Sequence, residues 1–272
     1  MVSVIVAFYE RLGHLKCCLD ALALCSQDFD EVVVADDGSK DETVNRLKEM
    51  IAGYNFPITH VTHPKDGFRL SATRNNGIRH ARGDYLLFLD CDFMVLPGTI
   101  KYHLKLAKPG RFVAGAYKYL TEEQSSMLLN STIAPDLLER FYCELPEREI
   151  IVQHRRYMRR SLLMRLHLAS PRKQSLGGFF SVYKKDIELI NGYDENFVGW
   201  GGEDEDLGVR LAAAGIYCIS AIRDARALHV WHPSELKTGK ESGWKRGTFN
   251  DYFTREKIQF VCKNGLRKLG QT

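Results

Sequence analysis

Along the first ninety residues, short apolar runs alternate with segments whose apolar positions recur at helical spacing. Residues 2–7 (Val-Ser-Val-Ile-Val-Ala) read as a first strand. Leu12, Leu15, Leu19, Leu22 and Ala23 then fall on one helical face, which predicts a helix to about Leu24. Residues 31–35 read as a second strand, and Asp41-Glu42-Thr43 opens a helix with acids in its first turn, where the backbone dipole favours them. A third strand over 58–61 and a helix over 71–80 follow. Residues 85–89 (Tyr-Leu-Leu-Phe-Leu) form an unbroken apolar run after Arg82-Gly83-Asp84, the pattern of a strand buried on both faces. This alternation predicts an α/β fold with a mostly parallel central sheet flanked by helices.

From Thr99 the pattern is mixed. A helix ends near Ala107, before Pro109-Gly110, and residues 112–119 read as one strand. Residues 121–174 are polar and basic, helical in pattern around Arg155-Arg156 and Arg159-Arg160, and carry no placeable motif. A turn and strand are expected over 177–183, a helix over 184–190 stopped by Asn191-Gly192, and a helix over 203–214 closed by Gly215. The chain therefore divides into 1–98, 99–233 and a basic extension, 234–272, with aromatic residues at Trp244, Phe249, Tyr252 and Phe253.

The chain's 272 residues suit one domain with an appended lobe, and 44% hydrophobic with 26% charged residues is ordinary for a soluble enzyme. A net charge of +4 suits an anionic substrate or a membrane surface and is no nucleic-acid footprint. Seven cysteines without framework spacing or a C-x-x-C fit a reducing, cytoplasmic setting. No signal peptide or membrane-spanning stretch is expected, so membrane association would be peripheral, through the basic extension.

The chemistry concentrates at strand ends. The run at 85–89 stops at Asp90-Cys91-Asp92, at a strand's carboxyl end, where ligands bind in such sheets. Two neighbouring carboxylates suit a hard cation such as Mn2+ or Mg2+; two solvated loop acids would read the same way. The second strand ends in Asp36-Asp37-Gly38-Ser39, either a turn or an acid placed for a base or ribose. Arg74, within Ser71-Ala72-Thr73-Arg74-Asn75, could neutralise a diphosphate or orient a carboxylate. Gly199-Trp200-Gly201-Gly202-Glu203-Asp204-Glu205-Asp206 combines a close-approach loop with four consecutive acids at a helix start, more than a dipole requires. One of those acids could deprotonate a hydroxyl, its basicity raised by its neighbours. His229 and His232 follow a strand-like run, and either could complete a metal shell begun by Asp90 and Asp92.

These segments, in this order, resemble the inverting nucleotide-sugar transferases of glycosyltransferase family 2, which have the GT-A fold. The resemblance covers roughly residues 1–233, and its second half is similar to the galactosyltransferase and N-acetylgalactosaminyltransferase branch. It implies a Rossmann-like nucleotide-sugar-binding half (1–98) merged with a mixed acceptor-binding half (99–233). Tyr9, Glu10, Asp36, Asp37 and Arg74 would contact the nucleotide, with Thr73 where the family's motif has alanine. Asp90-Cys91-Asp92 would be the D-x-D that holds Mn2+ or Mg2+ on the diphosphate, joined by His229 or His232. Asp204 would be the catalytic base and Glu203 the acid that binds sugar or acceptor; Gly178, Phe179, Trp200, Gly201 and Gly202 would line the sugar pocket. The implied donor is a UDP-sugar, tilted by the loop toward galactose or N-acetylgalactosamine over N-acetylglucosamine or glucose. The implied acceptor is a glycan, lipid-linked or other glycoconjugate.

Two rivals weigh less. A Rossmann dehydrogenase or a sugar nucleotidyltransferase needs a glycine-rich loop after the first strand, where Ala7-Phe8-Tyr9-Glu10-Arg11 stands instead. A non-catalytic nucleotide-sugar-binding module would be expected to lose the D-x-D or the base, and both are present.

Overall fold

A computed structural model of the chain describes residues 1–174, 176–199, 201–233 and 258–269. The apolar runs of the first half become β1 (Val2–Phe8), β2 (Glu31–Asp36), β3 (Ile58–Thr62) and β4 (Tyr85–Asp90). Between them lie α1 (Leu12–Ala23), α2 (Asp41–Ile51) and α3 (Leu70–His80). The second half adds β5 (Phe93–Val95), α4 (Thr99–Leu106), β6 (Arg111–Ala114), β7 (Lys118–Tyr119), α5 (Glu122–Leu129), α6 (Pro135–Glu144) and α7 (Arg148–Arg165). It continues with β8 (Phe180–Tyr183), α8 (Lys184–Leu189), α9 (Glu203–Ala213), β9 (Tyr217–Ser220) and β10 (Ala227–His229).

Among the described residues seven strands form one sheet in the order β3-β2-β1-β4-β8-β6-β9, and only β8 runs against its neighbours. The expected mostly parallel α/β sheet is therefore present. Alternate side chains enter cores on its two faces: Ile5, Val33, Leu86 and Phe88 on one, Val4, Val6, Leu87 and Leu89 on the other. That two-sided burial is why β4 lacks polar alternation. In register, β1 pairs Ala7 with Asp90 and Phe8 with Asp36, so its carboxyl end carries an acid on each side.

A second sheet, β5-β10-β7, sits beyond that end. The single strand expected over 112–119 is instead two, in different sheets, broken at Gly115. A Cβ on Gly115 would lie 2.4 Å from the Phe179 ring, so the chain leaves the large sheet where that ring closes over it. The short strands β5 and β9 were not apparent in the sequence, and the helical segment within 121–174 resolves into three helices, α5 to α7. Residues 258–269 fold back onto the turn after α8, where Asn191 Nδ2 donates to the carbonyls of Cys262 and Arg267, and Lys268 pairs with Glu195 at 2.6 Å. The remaining parts of the basic extension, 234–257 and 270–272, lie outside the described residues. Among the described residues no helix is long and apolar enough to cross a membrane.

α3 lies close on β1 and β2 because residue 77 is glycine. A Cβ there would meet the Ile5 methyl at 2.6 Å and the Ala35 Cβ at 3.3 Å. Alanine would gain roughly 1 kcal/mol of helix propensity, whereas overpacking a rigid core costs roughly 1–3 kcal/mol. Gly77→Ala is therefore expected to be destabilising, with a lower urea midpoint at unchanged m-value; a raised midpoint would show that α3 can lift freely.

Candidate functional site

The carboxyl ends of β1, β2 and β4 open onto the N-terminus of α9, and Arg74 of α3 fills the space between. Its guanidinium is buried, donating from Nη2 to Asp90 Oδ1 at 2.8 Å and from Nη1 to Asp204 Oδ1 at 2.7 Å. Glu203 Oε1 lies 3.9 Å from the same Nη1. The Tyr193 hydroxyl also donates to Asp204 Oδ1, at 3.2 Å, and its ring lies under the guanidinium, 5.4 Å from centroid to Cζ. Gly178 passes directly over this ion cluster: a Cβ there would sit 2.5 Å from Asp90 Oδ2 and 3.0 Å from Arg74 Nη2.

The four acids of α9 separate by role. Asp206 points inward and forms a fully buried pair with Arg210 of the same helix, at 2.8 Å. Glu203 and Asp204 face Arg74, while Glu205 is half-exposed. Gly202, at φ 88°, supplies the left-handed turn that starts the helix with these two acids aimed into the site, and Gly201 before it has φ 97°. Burial pushes the Asp204 carboxyl up to about 6; the Asp90 and Glu205 charges add to this, and Arg74 opposes it. Burial and the charge of Asp204 push Glu203 to about 8. Asp90 is likewise raised, by burial first and by Asp92. Glu203 Oε2 is buried without a hydrogen-bond partner among the described residues, which suits a group that meets a ligand hydroxyl.

Asp92 belongs to a second cluster. His232 Nε2 lies 3.2 Å from its Oδ2, His229 Nε2 3.7 Å from its Oδ1, and Arg11 Nη1 3.5 Å from Oδ2. The pairing of β10 with β5 creates this cluster, because it sets His229 opposite Phe93, the residue after Asp92. Burial alone would raise Asp92, but the His232 hydrogen bond and the His229, His232 and Arg11 charges outweigh it and leave the pKa lowered. His229 is held below its ordinary value by burial, and His232 is raised by its bond to Asp92. One donor atom from each of Asp92, His229 and His232 lies within 4.8 Å of the others. Asp92 Oδ1 and His229 Nδ1 are both buried without a hydrogen-bond partner among the described residues. Two nitrogens and a carboxylate with unsatisfied buried atoms fit a divalent ion such as Mn2+. Asp90 stands apart from that trio, its Oδ1 occupied by Arg74.

The other residues singled out in the sequence are placed as follows. Asp36 is buried and accepts from Ser39 and His60. Asp37 accepts from Lys65 Nζ at 2.6 Å, from Thr73 Oγ1 at 3.0 Å and from the Arg69 backbone. Tyr9 is exposed, with Lys65 Nζ 3.6 Å above its ring. Glu10, at φ 59°, accepts from the Lys40 backbone N–H and from Thr43 Oγ1, serving as a cap for α2 from a neighbouring loop. The Cys91 thiol is buried in the apolar core beneath the site. Phe179 is buried between His103 and Phe93, supporting the wall from behind. Trp200 lies outside the described residues. Sequence reasoning missed Tyr193, Lys65 and the Tyr117–Tyr119 pair packed about His229. Only their aromatic or cationic character could have marked them, and that is not specific.

Because Arg74 is the only described cation in contact with Asp90, Glu203 and Asp204, its loss should be pH-dependent. Arg74→Gln is expected to cost about 3–5 kcal/mol at pH 8. At pH 5 the loss should be smaller. Carboxyls without their cation have folded-state pKa values raised further, so their destabilising effect grows as pH rises and fades as they take up protons. Urea midpoints at the two pH values, with chelator present, check this; equal losses at both would mean that charge is not what Arg74 supplies.

Residues 3–167 match the model of glycosyl transferase family 2, and residues 159–232 match one described as the N-terminal domain of galactosyltransferase. The chondroitin synthase of Escherichia coli is 29% identical over 254 residues, covering 89% of this chain and 36% of the synthase. The chain thus spans about a third of that relative's length. Among solved structures, the mannosyltransferase PcManGT of Pyrobaculum calidifontis, in complex with GDP-Man and Mn2+, superposes with TM-score 0.57 at 19% identity, covering 86% of this chain and 58% of that one. GalNAc-T7 with UDP, GalNAc and Mn2+ gives TM-score 0.59 at 16% identity, covering 85% of this chain and 44% of that one. These likenesses identify the fold as GT-A. With the family match spanning more than half of its length, the chain belongs to glycosyl transferase family 2.

Proposed function

We propose that the chain is an inverting, metal-dependent transferase. It moves a hexose, galactose or N-acetylgalactosamine in the first instance, from a UDP-sugar to a hydroxyl of a glycan or glycoconjugate acceptor. The observation that carries this reading is the meeting of two clusters at one sheet end. A base-like pair, Glu203 and Asp204, is held by Arg74, and an ion-binding trio, Asp92, His229 and His232, is anchored by the small sheet. Mn2+ in the GDP-Man complex and the UDP complex of the two neighbours supports the metal and the nucleotide, and the relative named chondroitin synthase supports a glycan acceptor. A cytoplasmic setting is part of the proposal, supported by the odd number of cysteines without framework spacing.

In this mechanism Asp204 takes the proton of the acceptor hydroxyl. A carboxyl pushed up to about 6 is ionised at neutral pH yet more basic than an exposed aspartate, which suits a general base. Arg74 and Tyr193 fix its Oδ1, leaving Oδ2 as the oxygen that receives the proton. Glu203, whose carboxyl is pushed up by burial and by the charge of Asp204, can in its protonated form donate a hydrogen bond to a sugar hydroxyl. Asp92, His229 and His232 would hold the ion, with Asp90 as the other member of the D-x-D motif, and the ion supplies Lewis-acid stabilisation to the departing diphosphate. Arg11, beside Asp92, adds a positive charge at the same place. Attack from the face of Asp204 with departure on the opposite face inverts the anomeric carbon.

Two measurements test this. Mn2+ should raise the melting temperature of the wild type, corresponding to about 2.7 kcal/mol at a hundredfold excess over Kd, and should leave Asp92→Asn unmoved. An equal rise in both would refute the ligand trio. UDP release across a panel of nucleotide sugars should then identify one donor. With its acceptor present, Asp204→Asn should lower kcat by roughly 10²–10⁴ while keeping the thermal response to Mn2+. Undiminished turnover would move the base elsewhere.

A further inference from the structure

α7 has two faces of different character. Ile150, Tyr157, Ser161 and Met164 are buried against β9 and the core. There Ser161 Oγ donates to the Cys218 carbonyl, and His154 Nδ1 meets Ser220 Oγ at 3.0 Å. The inner face is thus anchored. The outer face carries Ile151, Met158, Leu162 and Leu166 at helical spacing, and Leu168 follows. Leu162 is 58% exposed, Leu166 56% and Leu168 72%. Single exposed leucines are normal on any protein, but a stripe of them along one helix face is not.

Arginines interleave with that stripe. The helix holds six of them and one acid, Glu149, and no Asp or Glu occurs from residue 150 to 185. Arg148, Arg155, Arg159 and Arg165 are exposed on or beside the apolar stripe, and none of the six is ion-paired among the described residues. We propose that the outer face of α7 docks on an anionic lipid surface. An apolar groove would accept the leucines and leave the arginines without counter-charge. A second copy of the chain would set arginines against arginines. A polyanionic glycan would pair with the arginines and leave the leucines in water. A bilayer surface bearing anionic headgroups satisfies both: the apolar side chains enter the headgroup boundary, and the guanidiniums extend to the phosphates. At roughly 1.5 Å per residue the helix would lie as a rod along the surface, not through it. The segment after α7 leads to Gly178, over Asp90 and Arg74, so the docked face and the catalytic cluster are joined by a short stretch of chain. The docking does not depend on the transfer reaction, and its failure would leave that reading intact.

The test is sedimentation of the full chain with vesicles of phosphatidylcholine alone or mixed with phosphatidylglycerol. Binding is expected to the mixed vesicles only, and to weaken with salt. Arg155→Gln with Arg159→Gln should lower it roughly 25-fold, about fivefold per arginine at an anionic surface. Leu162→Ser with Leu166→Ser should also lower it, while melting temperature and UDP release stay as in the wild type. Equal binding to both vesicle types, no binding, or binding unaffected by either double variant would overturn the proposal. So would a dimer on gel filtration that the leucine variant dissolves, which assigns the face to a second copy. Retention on a polyanionic glycan resin that needs the arginines but not the leucines, without vesicle binding, would assign it to a glycan.

Discussion

A single guanidinium, that of Arg74, holds three acids together at the end of the sheet. Asp90 comes from β4, and Glu203 and Asp204 come from a helix more than a hundred residues later. Like charges about 4 Å apart repel by roughly 4 kcal/mol at an effective dielectric of 20, so without the cation these elements would not meet with their acids ionised. The cluster therefore ties the two halves of the chain together and sets the protonation states within the site. Burial raises both Asp204 and Glu203, and Arg74 opposes the rise in each. Gly178 completes the arrangement by staying small enough for the backbone to cross above the ion pair.

A second constraint is register. Pairing β1 with both β2 and β4 fixes Asp36 and Asp90 on either side of one strand end. The chain then passes from Asp90 through Cys91 to Asp92 and joins a different sheet, so the two aspartates of the motif have different partners. Asp90 faces a cation within the protein, and Asp92 faces two histidines. The thiol between them is buried, in the turn that joins β4 to β5. The motif thus bridges two environments, one suited to handling a proton and the other to holding an ion.

The apolar and basic residues of α7 follow a different logic from the core helices. α1 and α3 spend their apolar residues inward, whereas α7 keeps leucines outside, on a helix already fixed by its inner face. Leaving them there costs free energy in water unless a surface covers them.

Much of the molecule was legible from the sequence for a simple reason. A strand buried on both faces must be apolar throughout, and a helix laid on it must be apolar at three- and four-residue intervals, so β1, β2 and β4 and the helices laid on them announce themselves. Asp36, Asp90 and Asp92 stood out because polar residues ending such runs fall at the sheet's ligand-binding end, and Asp204 because four consecutive acids follow a glycine-rich loop at a helix start. What the sequence did not contain was pairing. The break of 112–119 into two sheets depends on the Phe179 ring above Gly115. The division of four consecutive acids depends on Arg210 taking Asp206 and Arg74 taking Glu203 and Asp204. The grouping of Asp92 with both histidines depends on β10 lying beside β5. Local pattern reports which residues must be buried or exposed; only the closed chain decides which distant charges become neighbours, because their interaction depends on distance in space.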